Sequence, residues 1–170
     1  MDKYAFLVLG AESSGTRMLT KALVLAGVWG DYTHGQRIDN LLGVMDKAPP
    51  YVVMRRSLPH ARMWPRLDVL SRQLRSGGHK LIPLGIEREE RYTIKSQLTD
   101  QQHAQTATQA RDNIARAKKL IKAQRPLWVA SYERFVSNED YRAGLFAQIG
   151  LEVPEMQFYN ANQKYETNMA

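Results

Sequence analysis

The chain predicts an α/β fold: a three-layer sandwich with a central parallel sheet and a P-loop-like strand–loop–helix, as a single domain over residues 1–170. Three observations lead there. Short apolar runs alternate with helix-period segments along the whole length, which is the pattern of repeated strand–helix units. The first apolar run passes through a loop rich in Gly and Ser straight into a helix. At 170 residues the chain suits one domain with a core of its own.

Tyr4-Ala5-Phe6-Leu7-Val8-Leu9 has the length and composition of a buried parallel strand. Gly10 to Arg17 follows as the loop, and Met18 to Ala26 reads as a helix closed by Gly27. Such a layout cradles phosphate. Glycines let the backbone approach closely, successive amides point inward, and the helix N-terminus adds a partial positive charge. The Walker pattern asks for Gly-x4-Gly-Lys-Ser/Thr, but here Gly10-x4-Gly15 runs into Thr16-Arg17 and the lysine is missing. Val28 to Arg37 mixes polar and aromatic residues beside the cradle and suits an acceptor pocket. Ile38 to Val44 predicts a short helix and Ala48-Pro49-Pro50 a break. Tyr51 to Met54 predicts a second strand that ends in a turn from Arg55 to His60.

Pro65 opens a helix over Arg66 to Ser76, with Leu67, Leu70 and Leu74 on one stripe and Gly77-Gly78 as its stop. Lys80 to Ile86 predicts a third strand, in which Pro83 marks either the start of pairing or an irregularity. Just after it, Arg88 and Ser96 stand eight positions apart, spanning a strand end and about two turns of helix. A guanidinium and a hydroxyl so placed can converge on one phosphate. The same stretch also fits an exposed helix on which Arg88, Arg91 and Lys95 pair with Glu87, Glu89 and Glu90. Thr99 to Gln124 predicts a long helix, opened by a Thr99/Gln102 capping box, with Ala104, Ala107, Ala110, Ile114, Ala117 and Ile121 on a thin apolar stripe. Its cations, from Arg111 to Arg125, form a solvated face or attract a polyanion. Leu127 to Ser131 reads as a fourth strand, and Ser137 to Asp140 as the cap of a helix reaching Ile149.

Composition narrows the partners. The formal net charge of +7 favours an anionic one. The basic residues are scattered and no recognised nucleic-acid motif accompanies them, so an anionic nucleotide fits better than DNA or RNA. With no cysteine, disulfides and thiolate metal sites are excluded. No apolar run approaches a membrane span, and Met1-Asp2-Lys3 leads directly into the first strand, so a cytoplasmic protein without a signal peptide is expected.

Ser13-Ser14-Gly15-Thr16-Arg17, placed after a first strand, resembles the nucleotide-binding loop of the sulfotransferases. That loop typically reads Lys- or Arg-Ser-Gly-Thr and holds the 5′-phosphosulfate of 3′-phosphoadenosine-5′-phosphosulfate (PAPS). Ser14, Gly15 and Thr16 match, while Ser13 stands at the family's basic position, with Arg17 and Lys21 the nearest cations. Arg55 to His60 is similar to the family's Lys-Thr-His-Leu-Pro motif, aligned through Leu58-Pro59. Arg55 then takes the lysine position and Ser57 that of the catalytic histidine. A serine of ordinary pKa is a poor general base, so His60 or His34 is expected to supply an imidazole. Arg88 and Ser96 match the arginine and serine that bind the donor's 3′-phosphate, and Arg91 matches a further basic position. Ser131-Tyr132-Glu133-Arg134-Phe135 resembles the signature where strand hands over to helix. Residues 152–170 are expected either to fold back over the nucleotide as a C-terminal lid through the run Asn160-x-Asn162-x-Lys164-Tyr165, as in many members, or to form a tail.

The resemblance implies catalytic roles for Arg55, His60 and His34. It implies donor binding by Ser13, Ser14, Gly15, Thr16, Arg17, Arg88 and Ser96, with PAPS as donor substrate, an unknown acceptor and no metal. The loop, the turn and the Arg88–Ser96 stretch all follow predicted strands, so one edge of the sheet is expected to hold all three. The leading expectation is a small sulfotransferase acting on a hydroxyl or amine. One alternative is a P-loop kinase or nucleoside-triphosphatase with a degenerate loop. Against it stand Thr16 in place of the Walker lysine and the lack of a strand-terminal Asp for magnesium. The other is a non-catalytic module that binds nucleotide or nucleic acid through the +7 charge.

Overall fold

The computed structural model describes residues 2–30, 45–60, 63–99 and 104–166. In chain order its elements are β1 (Tyr4–Ala11), α1 (Thr16–Leu25), β2 (Trp29–Gly30), a 3₁₀ turn (Met45–Lys47), β3 (Tyr51–Leu58), α2 (Leu67–Ser76) and β4 (Lys80–Glu87). Then follow α3 (Glu90–Thr99), α4 (Ala107–Ala123), β5 (Val129–Ser131), α5 (Tyr132–Ser137), α6 (Glu139–Ala147) and α7 (Gln163–Glu166).

The strands form one parallel sheet in the order β2-β3-β1-β4-β5. β1 is central because it is apolar on both faces, and every residue of it but Tyr4 is buried. β3 pairs with it from Tyr4↔Tyr51 to Ala11↔Leu58, and β4 from Tyr4↔Lys80 to Leu9↔Gly85. Ala5, Leu7, Leu9 and Ala11 face one layer, where the leucine stripe of α2 and Ile114, Ala117 and Ile121 of α4 close over them. Phe6 and Val8 face the other, against Leu19, Ala22 and Leu23 of α1, Phe135 of α5 and Phe146 of α6. Three layers result, as expected from the alternation of elements. Among the described residues no helix is long and apolar enough to cross a membrane.

Several local expectations are revised. β3 does not stop at Met54: it runs on to Leu58, because β1 continues to Ala11 and offers Gly10 and Ala11 as partners for Ser57 and Leu58. Arg55 and Ser57 are therefore strand residues two apart, on one face of the sheet. Thr99 does not open the long helix but ends α3, its hydroxyl donating to the Lys95 carbonyl at 2.8 Å. The cap is Thr106, whose hydroxyl accepts from the Gln109 amide at 3.1 Å. Pro83 marks a start of pairing only toward β5, since toward β1 it lies within the ladder, opposite Leu7. Its carbonyl accepts from Leu127 on the β5 side, and the first ladder donor there is Gly85, to Trp128 at 2.8 Å, so the missing N–H precedes the β4–β5 ladder. The six cations from Arg111 to Arg125 are exposed. The helix expected over Ile38 to Val44 lies outside the described residues.

Residues beyond α6 cross the α1 side of the molecule. Phe158 meets Phe135 edge-on at 5.6 Å and carries the Arg142 guanidinium 4.2 Å above its ring centroid. Val153, Met156 and Ala161 pack on the same core.

Candidate functional site

The loop after β1 has room for its glycines and little else. A Cβ on Gly10 would overlap the Ser14 Oγ, and would lie 2.7 Å from Thr16 Cγ2 and 2.8 Å from the Ile86 carbonyl oxygen. Gly15 sits at φ 101°, and a Cβ there would enter the Tyr132 ring. Ser13, at φ 69°, is left-handed as well. These two positions fold the chain so that α1 begins at Thr16 with no side chain bonded to its N-terminus. The first amides of a helix have no acceptor within it, which makes this end receptive to an anion.

A cleft of about 660 Å3 opens at the carboxyl edge of the sheet. The chain leaves β1 toward β2 and leaves β4 toward β5, so the cleft lies at the switch point of an open α/β sheet. Ser13, Gly15, Thr16 and Arg17 line it from the loop, Arg55, Ser57 and His60 from β3 and the turn behind it, and Arg88 and Ser96 from β4 and α3. The three segments singled out in the sequence thus share one cavity. Ser14 is not among the lining residues. It is 1% exposed, packed beneath the loop against Gly10, with its amide donating to Ala11 at 3.0 Å. His34 lies outside the described residues. Arg91 is engaged elsewhere, 2.9 Å from Glu89 and stacked on Tyr92. His60 is fixed at the backbone, where it exchanges hydrogen bonds of 2.7 and 2.9 Å with Met63.

Charge in the cleft is one-sided. Arg17, Lys21, Arg55, Arg88 and Lys164 line it, against one carboxylate, Glu12. Four polar atoms of the site are withdrawn from solvent without a hydrogen-bond partner: Ser13 Oγ, Ser14 Oγ, Arg55 Nε and Arg88 Nη2. Each such group costs on the order of 1–3 kcal/mol if nothing completes it. An anion of several oxygens in the cleft supplies acceptors for those on the lining residues Ser13, Arg55 and Arg88, while Ser14 Oγ lies beneath the loop.

Arg88 is held on most sides. Its Nη1 donates to the Ser13 carbonyl at 3.1 Å and its Nε to Asn162 Oδ1 at 2.5 Å. A cation therefore reaches Ser13 itself, the loop position where the sequence has no basic residue. Behind it, the Tyr132 hydroxyl donates to the Tyr159 carbonyl at 3.3 Å and accepts from the Ala161 amide at 2.9 Å. Burial holds the Tyr132 phenol above its ordinary pKa, so it stays neutral.

Glu12 and Tyr132 line the cleft although the sequence does not single them out for it. Tyr132 had a signal, since it lies in the Ser131–Phe135 signature. Asn162 and Lys164 fall in the run from Asn160 to Tyr165 that is expected to fold back over the nucleotide, while the contact of Asn162 with Arg88 comes only through the fold. Among the described residues no group of three or more His, Asp or Glu stands ready to hold a metal ion. Comparison of the chain with protein-family models, with curated proteins and with solved structures finds no match.

Proposed function

We propose that the chain is a small sulfotransferase that moves a sulfuryl group from PAPS to a hydroxyl or amine. The observation that carries this reading is the single cleft joining the Ser13–Arg17 loop to Arg88 and Ser96, with unpartnered polar atoms at both. The α1 amides, Thr16, Arg17 and Arg55 hold the phosphosulfate. Arg88 and Ser96 hold the 3′-phosphate, the guanidinium as a charge-assisted donor. The donor supplies an S–O bond that breaks as the acceptor oxygen or nitrogen bonds to sulfur, leaving adenosine 3′,5′-bisphosphate. His60 is the chain's base for the acceptor proton, because a neutral imidazole accepts one and Ser57 does not. Held cations and positioned reactants supply most of the rate enhancement.

Thermal unfolding with three ligands tests the assignment. Adenosine 3′,5′-bisphosphate is expected to raise Tm with concentration, by an amount worth about 2.7 kcal/mol at a hundred times Kd. Arg88→Ala is expected to abolish the shift. A response to ATP-magnesium without one to the bisphosphate would instead make the protein a degenerate P-loop phosphotransferase. Stabilisation only by an oligonucleotide, steeply lost with salt, would make it a nucleic-acid module.

A further inference from the structure

Arg88 is fixed before any ligand arrives, and the residue that fixes it lies 74 positions further along the chain. Asn162 is 1% exposed. Its side-chain carbonyl accepts from Arg88 Nε, its side-chain amide donates to Glu133 Oε1 at 3.0 Å, and its backbone amide donates to Asn160 Oδ1 at 2.9 Å. The partners dictate the orientation of the amide, because a guanidinium only donates and a carboxylate only accepts. The same Glu133 oxygen accepts from the Glu89 backbone amide at 3.1 Å, so Asn162 is tied to the residue that follows Arg88.

The rest of the guanidinium is enclosed. Tyr132, Tyr165 and Tyr92 place their ring centroids 5.1, 5.6 and 5.9 Å from its central carbon. Nη1 is spent on the Ser13 carbonyl, and Nη2 is the nitrogen left buried without a partner. A free arginine gives up about 2 kcal/mol of rotamer entropy when it is immobilised. Here that ordering is done by the fold, so a phosphate reaching Nη2 meets a donor already aimed.

We infer that Asn162 is the positioning residue that makes the site select a nucleotide phosphorylated at the 3′ position over its 3′-hydroxyl counterpart. The inference rests on the proposed reading of Arg88 as the 3′-phosphate anchor. Without Asn162 the Nε–H loses its acceptor, the fork is held only by the Ser13 carbonyl and the surrounding rings, and the 3′-phosphate contact at Nη2 is weakened more than the contact of the loop with the 5′-phosphate.

Calorimetric titration of wild type and Asn162→Ala with adenosine 3′,5′-bisphosphate and with adenosine 5′-monophosphate tests this, with Tm recorded for both proteins. Wild type is expected to prefer the bisphosphate by at least about tenfold, the scale of one hydrogen bond to a charged group. In Asn162→Ala that preference is expected to fall to about twofold, because the bisphosphate loses more affinity than the monophosphate. If Asn162→Ala does not fold, Asn162→Ser, whose shorter side chain leaves Arg88 Nε without its acceptor, is expected to show the same loss of preference. Equal weakening of both nucleotides, or an unchanged preference, overturns the inference and leaves Asn162 a staple of the chain. A wild type that does not distinguish the two nucleotides sinks the reading of Arg88 itself, an outcome visible before any variant is made.

Discussion

Gly15 admits no side chain for two separate reasons. Its φ of 101° is the left-handed region that costs an L-residue about 1–2 kcal/mol, and a Cβ would enter the Tyr132 ring. Gly15→Ala is expected to lose about 2–4 kcal/mol in urea denaturation, strain and overlap together. Gly27 separates the two contributions. It has a similar φ of 95° with nothing within 4 Å of an added Cβ, so Gly27→Ala is expected to lose only about 1 kcal/mol. The glycine-and-serine loop was legible in the sequence because its chemistry is local: a turn between strand and helix needs these residue types. Arg88 was legible through its spacing from Ser96. Its anchoring by Asn162 was not, since no periodicity links a strand end to an irregular segment 74 residues away.

At the level of elements, apolar pattern and local chemistry decided what forms, and neighbours decided where it ends. Of the stripe that marks α4 in the sequence, Ala110, Ile114, Ala117 and Ile121 are buried on the helix, while Ala107 is half-buried at its first position and Ala104 lies before it. The start was misplaced because two threonines precede good helix formers and either can cap. Thr106→Ala, which takes the acceptor from the Gln109 amide, is expected to destabilise by about 1 kcal/mol, and Thr99→Ala, in the last turn of α3, by less. Denaturation midpoints of the two variants measure the difference. β3 shows the same division. Nothing in Arg55-Arg56-Ser57 suggests a strand, yet β1 draws these residues into the sheet by offering backbone partners through Ala11. That extension puts Arg55 and Ser57 at the floor of the cleft rather than on a turn above it.

Over the whole molecule, stability is linked to protons through groups whose surroundings change on folding. Tyr132 is held above its ordinary pKa, first by burial, and Tyr92 likewise, first by the hydrogen bond it donates to Glu166 at 2.8 Å. A raised folded pKa means the native state binds the phenolic proton more tightly than the unfolded chain. The stabilisation is complete below the unfolded value near pH 10 and is lost as pH rises through the folded one. Wild type is therefore expected to lose stability in urea as pH climbs beyond about 10. Tyr132→Phe is expected to lose less over that range, Tyr92 and Lys80, which Asp2 holds above its ordinary pKa, contributing to the remainder, while starting about 1 kcal/mol lower at neutral pH for want of its bonds to Tyr159 and Ala161. Equal slopes for the two proteins would show that Tyr132 ionises as freely in the fold as out of it.

The sequence by itself determined the class of fold and the glycine-and-serine turn between its first strand and helix. Hydrophobic periodicity, glycine placement and the order of strands and helices are properties of neighbouring residues, and they suffice to specify a parallel sheet with a loop at its edge. Only the tertiary structure decided which strands lie side by side, and so which distant residues meet. β4 comes to rest against β1 although β2 and β3 lie between them in the chain, and that adjacency brings Arg88 to Ser13. Asn162 arrives from the far end because Tyr132 and Glu133 hold its segment over the sheet edge. Contacts of this kind depend on the packing of whole layers, and a linear pattern does not carry that information.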